Sequence, residues 1–254
     1  MFLSGFPVDD LFKVEGKTVL IVGASSGIGL HAAKMFAKRG ARVVLSARRK
    51  NLLQALAKEL NCEFFQMDVT KEDSIQAVLS QINRLDVVLN TSGTAIRKPI
   101  LSQTVEDWDT LMDVNLKGVW NVSRLAINHM QDRGIEGKII NLSSVLAYVT
   151  APNYVLYATS KAGVEHMTRS LALESAKYRI NINCIAPGYI ETDLNREYLQ
   201  KVIGKDVIEA TPMGRLGNLE DLDGVLLLLA SDASKFITGS TIRVNGGICV
   251  NKLF

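Results

Sequence analysis

Short, almost wholly apolar runs alternate with segments of helical spacing nearly from end to end of this chain, and that rhythm limits its fold more than any other feature. Runs such as TVLIV and DVVLN have no polar face, which suits strands covered by helices on both sides of a parallel sheet. Strands are expected at Thr18–Val22, Arg42–Leu45, Glu63–Met67, Asp86–Leu89, Lys138–Leu142, Ile180–Ile185 and Thr241–Val244. Helical spacing falls between them, near Ile28–Lys38, Asn51–Leu60, Glu72–Asn83, Val105–Asp132, Tyr154–Tyr178 and Leu219–Ala230. Repeated strand–helix units predict an α/β fold: a doubly wound, seven-stranded parallel sheet with helices on both faces. No Pro/Ser/Gly-rich spacer, repeat or low-complexity tract divides the chain, so residues 1–254 are expected to form a single domain. The least regular stretch, Tyr189–Gly217, follows the sixth strand. Ligands in open parallel sheets sit outside the carboxyl ends of the strands, which makes residues 189–217 the candidate substrate lid.

Composition excludes several classes of function. With 254 residues, 47% hydrophobic and 22% charged, the chain has the balance of a folded domain and not of a disordered one. Lys and Arg number 29 against 26 Asp and Glu, a net charge of +3, so no nucleic-acid partner is expected. The longest strongly apolar run, Val225–Ala230, falls far short of the roughly 20 residues a membrane span needs. The opening MFLSGFPVDD has no basic residue and does not read as a secretory signal. Cys62, Cys184 and Cys249 form no CxxC pair, and His31, His129 and His166 lack metal-ligand spacing. A cytoplasmic protein without disulfides or metal is the expectation.

Gly23, Gly27 and Gly29 lie in VGASSGIG, directly after the first strand and opening the first helix. Glycines there let the chain turn tightly and bring backbone N–H groups up to a pyrophosphate, which a helix N-terminus favours electrostatically. The spacing GxxxGxG differs from the commoner GxGxxG, and three close glycines also occur in plain turns; the place between a buried strand and a helix favours the nucleotide. The end of the second strand then selects the cofactor. NAD sites usually place Asp or Glu there for the ribose 2′-hydroxyl, whereas NADP sites carry Arg. VVLSARRK has no acid from Val43 through Lys50 and sets Arg48 beside Arg49. A guanidinium grips phosphate through two parallel hydrogen bonds, so NADP(H) is expected, with NAD(H) as the alternative. Asp68, after the third strand, could accept the adenine amino group or be only a turn residue.

Tyr157 and Lys161 in YATSKAG are four residues apart, so on a helix they share one face and can converge on one ligand. YxxxK is common by chance, and its weight comes from its company. Ser143 and Ser144 end the fifth strand in IINLSS, and Asn115 sits within the long helical segment in DVNLKG. VGASSGIG at 22–29, DV at 68–69, NTSG at 90–93, Asn115, Ser144, YATSK at 157–161, PGYIET at 187–192 and the closing segment 216–247 together resemble the short-chain dehydrogenase/reductase family over essentially the whole chain.

That resemblance implies a Rossmann fold and an enzyme interconverting a small-molecule ketone and a secondary alcohol by hydride transfer. Tyr157 would exchange a proton with the substrate oxygen, and Ser144 would orient that oxygen, with Ser143 its rival on sequence alone. Lys161 would hold the nicotinamide ribose and favour ionised Tyr157. Asn115 would anchor a water leading from Lys161 to solvent, although such a residue can also bond its own backbone at a helix kink. Cofactor contacts carried over by the resemblance are Gly23, Ser25, Ser26, Gly27, Ile28, Gly29, Arg48, Arg49, Asp68, Val69, Gly93, Tyr157, Lys161, Pro187, Gly188, Ile190 and Thr192, with Asn90 bracing the central strands. Bringing a phenol from a pKa of about 10 to about 7 needs roughly 4 kcal/mol. One ammonium about 4 Å away supplies on the order of 4 kcal/mol at an effective dielectric near 20, so Lys161 is expected to lower Tyr157.

Three departures from the family pattern stand out. Val22 occupies a place where Thr usually braces the turn, NTSG replaces NNAG, and Ser26 stands where NADP-preferring relatives often carry a basic residue. The chain resembles 3-oxoacyl-acyl-carrier-protein reductases over most of its length, which implies a 3-oxoacyl thioester substrate. Its opening LFKVEGK resembles gluconate 5-dehydrogenase-like members, which implies a sugar, polyol or sugar acid instead. Because Asn115, Ser144, Tyr157 and Lys161 are all present, a dinucleotide-binding regulator without turnover is the remote alternative. The family also implies a homo-oligomer, a tetramer or a dimer, with the tail ICVNKLF able to pack on a neighbour.

Overall fold

The apolar runs do become the strands. The computed structural model describes residues 8–192, 196, 199 and 204–250. Its strands are β1 (Thr18–Val22), β2 (Arg42–Ala47), β3 (Glu63–Gln66), β4 (Val87–Asn90), β5 (Lys138–Leu142), β6 (Asn181–Pro187) and β7 (Thr241–Val244). They form one sheet in the order β3-β2-β1-β4-β5-β6-β7, and every neighbouring pair is parallel. Besides a single helical turn at Val8–Leu11, the helices among the described residues include α1 (Gly27–Lys38), α2 (Lys50–Leu60), α3 (Glu72–Leu79), α4 (Val105–Met112), α5 (Gly118–Asp132), α6 (Val155–Ser175), α7 (Gly204–Ala210) and α8 (Asp223–Ala230).

Successive strand residues point to opposite faces, and each face has its own core. Val19 and Ile21 pack with Phe36 of α1, Leu53 of α2 and Leu226 of α8. Leu20 and Val22 pack on the other side with Ile75 of α3 and with Val122 and Met130 of α5. Each such fully buried side chain contributes about 1.5–3 kcal/mol, which explains why strands with no polar face are required. Strand order reverses between β1 and β4, and the crevice at that point is where an open α/β sheet binds its ligands. The register sets Val22 opposite Asn90 and Asn90 opposite Asn141, so the ends of β1, β4 and β5 are level beneath that crevice.

Boundaries differ from expectation where tertiary contacts intervene. The expected helix over 105–132 is broken by a π turn at Asp113–Lys117. The segment 219–230 splits into a 3₁₀ turn, Leu219–Leu222, and α8, while α6 closes in a 3₁₀ turn at Ala176–Tyr178. Of the expected lid, residues 193–195, 197, 198 and 200–203 lie outside the described residues, as do residues 251–254 of the tail. The two ends of the lid stretch are joined: Glu191 N donates to Gly217 O at 2.8 Å, and Gly217 N donates to Tyr189 O at 3.0 Å. Among the described residues no helix is long and apolar enough to cross a membrane.

Candidate active site

A cavity of about 440 Å³ opens above the carboxyl ends of β1, β2, β4 and β5. Gly23, Ser25, Ser26, Gly27, Ile28, Gly29, Arg48, Arg49, Asp68, Val69, Gly93, Tyr157, Lys161 and Thr192 all line it. Gly23 has φ +92°, and a Cβ there would lie 2.7 Å from the Ser92 backbone nitrogen. A Cβ on Gly29 would strike the Gly23 carbonyl oxygen and the Thr91 hydroxyl. The loop therefore tolerates no side chain at these positions, and it leads straight into the N-terminus of the twelve-residue α1. Such a wall of bare backbone fits a dinucleotide pyrophosphate.

Thr91 supplies the brace that Val22 cannot. Its Oγ1 donates to the Val22 carbonyl oxygen at 2.7 Å, so the turn is held from β4 and not from within the glycine loop. At the far side of the loop, Arg49 Nη2 donates to Ser25 Oγ at 2.8 Å and to Ser26 Oγ at 2.6 Å. The guanidinium is thus laid across the two serines, and Ser26 contributes a hydroxyl where a basic residue was wanting. Burial raises the Asp68 carboxyl, but hydrogen bonds from Thr70 and the charges of Arg48 and Lys71 outweigh it and hold the group below its ordinary range.

The two strand-end serines have different partners. Ser143 lines the cavity, but its Oγ lies 2.7 Å from Glu165 Oε1 and 3.1 Å from the Lys161 carbonyl oxygen, which engages its hydroxyl elsewhere; Ser144 is not part of the lining. Ser144 caps the 3₁₀ turn Val145–Ala147, accepts from Leu146 N at 3.2 Å, and hydrogen-bonds the Tyr157 phenol. Tyr157 and Lys161 share the face of α6 turned to the cavity, with Lys161 Nζ 5.7 Å from the centre of the Tyr157 ring. Nζ donates to the Leu142 carbonyl oxygen at 2.9 Å. Burial pushes the Tyr157 phenol up, the Ser144 hydrogen bond pulls it down, and Tyr189 adds to the rise; the net direction is upward. Burial likewise drops the Lys161 ammonium to about 8. The expected lowering of the phenol by Lys161 is therefore not the dominant effect, because desolvation penalises the charged form of both groups.

Similarity to known proteins agrees with this geometry. A family pattern described as Enoyl-(Acyl carrier protein) reductase matches residues 23–249. The 3-oxoacyl-(acyl-carrier-protein) reductase FabG of Thermotoga maritima is 36% identical over 247 residues, covering 94% of this chain and 100% of that protein. This chain belongs to the short-chain dehydrogenase/reductase family. The NAD-dependent glycerol dehydrogenase of Listeria innocua, another relative, is 33% identical over 257 aligned positions, with 98% and 100% coverage. A crystal structure of a gluconate 5-dehydrogenase from Burkholderia cenocepacia, in complex with NADP and tartrate, matches with a TM-score of 0.91 at 34% identity, covering 96% of this chain and 99% of that one. The protein is accordingly a short-chain oxidoreductase, built on the sheet these enzymes share.

Of the remaining family positions, Gly93 and Thr192 are in the cavity wall, and Asn90, Asn115, Pro187, Gly188 and Ile190 lie around it. Asn115, in the π turn, is fully buried; its Oδ1 accepts from Thr94 N at 2.8 Å and its Nδ2 donates to Thr94 O at 2.8 Å. It braces the loop after β4 and not its own helix. A Cβ on Gly93 would sit 3.5 Å from Asn115 Oδ1 and 3.6 Å from Lys161 Nζ, so this backbone runs beside both. Asn90 Nδ2 donates to Asn141 Oδ1 at 2.8 Å and Ser123 Oγ at 3.2 Å, tying β4 to β5 and α5 beneath the cavity. Pro187 ends β6, and a Cβ on Gly188 would meet Asn245 Cα at 2.8 Å, so that glycine serves the close approach of the backbone just after β7. Ile190 is buried in the core beside α8. Gly188 and Ile190 line a different cavity of about 240 Å³, and only Thr192 of this group reaches the main one.

Proposed function

We propose that the protein is an NADP(H)-dependent oxidoreductase that interconverts a ketone and a secondary alcohol with Tyr157 as acid and base. The observation that carries this reading is the hydrogen bond of Ser144 to Tyr157, whose ring lines the glycine-walled cavity, while the Ser143 hydroxyl is engaged by Glu165. When bound, the nicotinamide supplies or accepts the hydride. Gly23 through Gly29 would hold the pyrophosphate, Asp68 and Val69 the adenine side, and Thr192 the nicotinamide side. Arg48 and Arg49, with the hydroxyls of Ser25 and Ser26, would hold a 2′-phosphate; no carboxylate stands at the end of β2 to favour a bare ribose. Ser144 would donate to the substrate oxygen, and Tyr157 would deliver its proton there. A phenol kept protonated by burial suits the acid role in carbonyl reduction at neutral pH. Lys161 would bind the nicotinamide ribose, and Asn115 would keep the Thr94 loop and a water beside it in place.

A 3-oxoacyl thioester is the first substrate class, supported by the Thermotoga relative. A sugar acid or polyol is the second, supported by the Burkholderia structure with its bound tartrate. Oxidation of NADPH and NADH across 3-oxoacyl thioesters, keto-sugars and simple ketones tests the reading. Turnover on at least one of them, faster with NADPH, is expected; NADPH binding without turnover on any would point to a regulator. We further infer a homo-oligomer, as the family resemblance implies. Light scattering at micromolar concentration should give a tetramer or dimer mass, and a monomer mass would contradict it.

A further inference from the structure

Glu165 lies on α6 one turn after Lys161 and is only 6% exposed. Burying a carboxylate is costly unless its lone pairs are satisfied. Two hydroxyls meet it: Ser143 Oγ stands 2.7 Å from Oε1, and the Tyr148 phenol hydrogen-bonds it. Ser143 has one proton to give, and its 2.7 Å contact to the Glu165 carboxyl oxygen is shorter than the 3.1 Å contact to the Lys161 carbonyl. Ser143 immediately precedes Ser144, the N-cap of the 3₁₀ turn, and Tyr148 is the C-cap of that turn. Within the turn, Ser144 Oγ accepts from Leu146 N, and the backbone closes through Ala147 N to Ser144 O, Tyr148 N to Val145 O and Val149 N to Val145 O.

We propose that Glu165 is a positioning residue for the carbonyl chemistry: by fastening Ser143 and Tyr148 on either side of that turn, it aims the Ser144 hydroxyl at the Tyr157 phenol. The proposal rests on the function inferred above, since it assigns Glu165 a role only through Ser144. Misplacing a reacting group by about 1 Å can cost on the order of 10²-fold in rate.

The test is a double-mutant cycle in the full chain, using the ketone that the wild type reduces best. Glu165→Ala should lower kcat roughly tenfold to a hundredfold, with the KM for that ketone and the Kd for NADPH little changed. Glu165→Gln keeps a carbonyl acceptor for Ser143 and should recover most of the rate. Ser144→Ala combined with Glu165→Ala should be no slower than Ser144→Ala alone, because a positioning residue has nothing left to position. Independent, multiplying losses, or full kcat in Glu165→Ala, would overturn the proposal. Should Glu165→Ala not fold, Tyr148→Phe takes its place in the cycle; its side chain is 43% exposed, and a several-fold loss that vanishes in the Ser144→Ala background is expected. Full kcat in Tyr148→Phe would then overturn it. A wild type inactive on every ketone would sink the functional reading and this role together, whereas a full-rate Glu165→Ala enzyme sinks this role alone.

Discussion

Lys161 is nearly excluded from solvent, donates to the Leu142 carbonyl, and has its ammonium lowered to about 8 by burial. An unfolded lysine titrates near 10.4. Below about pH 8 both states are protonated, and the folded protein carries the full cost of the buried charge. Between about 8 and 10.4 the unfolded chain holds a proton that the folded one has shed, so this group makes stability rise with pH. Above about 9 the buried Cys184 thiol, raised to about 12, acts in the opposite sense, because the folded protein keeps a proton the unfolded chain loses. The lysine is therefore best read between pH 7 and 9. Lys161→Met should be more stable than the wild type in urea at pH 7, by on the order of 2–3 kcal/mol after loss of its hydrogen bond. That gap should narrow at pH 9; a gap that is absent or widens would contradict the buried ammonium. Stability withheld at a residue to which the proposed function assigns the nicotinamide ribose would be the usual exchange between fold and site.

At the scale of elements, strands were legible because a run such as TVLIV can be buried only one way, and all seven lie within one or two residues of expectation. The glycine loop and the Tyr157–Lys161 face were legible for the same reason, since each depends on one local segment. What was not legible depends on segments far apart in the chain. Apolar spacing runs straight through 105–132, so nothing local announces the π turn; it accompanies the bonds of Asn115 to Thr94 and, at 3.3 Å, to Ser160. Ser143 and Ser144 are equivalent at a strand end until Glu165, twenty-two residues on, engages the first of them. Val22 reads as a lost brace until the β1–β4 pairing brings Thr91 to it. Ile190 and Gly188 belong to family motifs, yet one fills core and the other admits the backbone just after β7, distinctions that spacing alone does not carry.

At the scale of the molecule, the reversal of strand order divides the site into two sources. The β1–β2–β3 side contributes the glycine loop, Arg48, Arg49 and Asp68, while α6 contributes Tyr157 and Lys161, with Ser144 after β5 bonded to Tyr157. The two meet over β4, where Gly93 passes beside Lys161. Because each source rests on its own packing, cofactor grip and proton transfer should be separable by mutation. Tyr157→Phe isolates them with the loss of one oxygen. Titrated with NADPH and assayed on the ketone the wild type reduces, it should bind the cofactor with nearly unchanged Kd while turnover falls by roughly 10²–10⁴-fold. Turnover close to wild type, or a Kd weakened as far as the rate, would contradict the account.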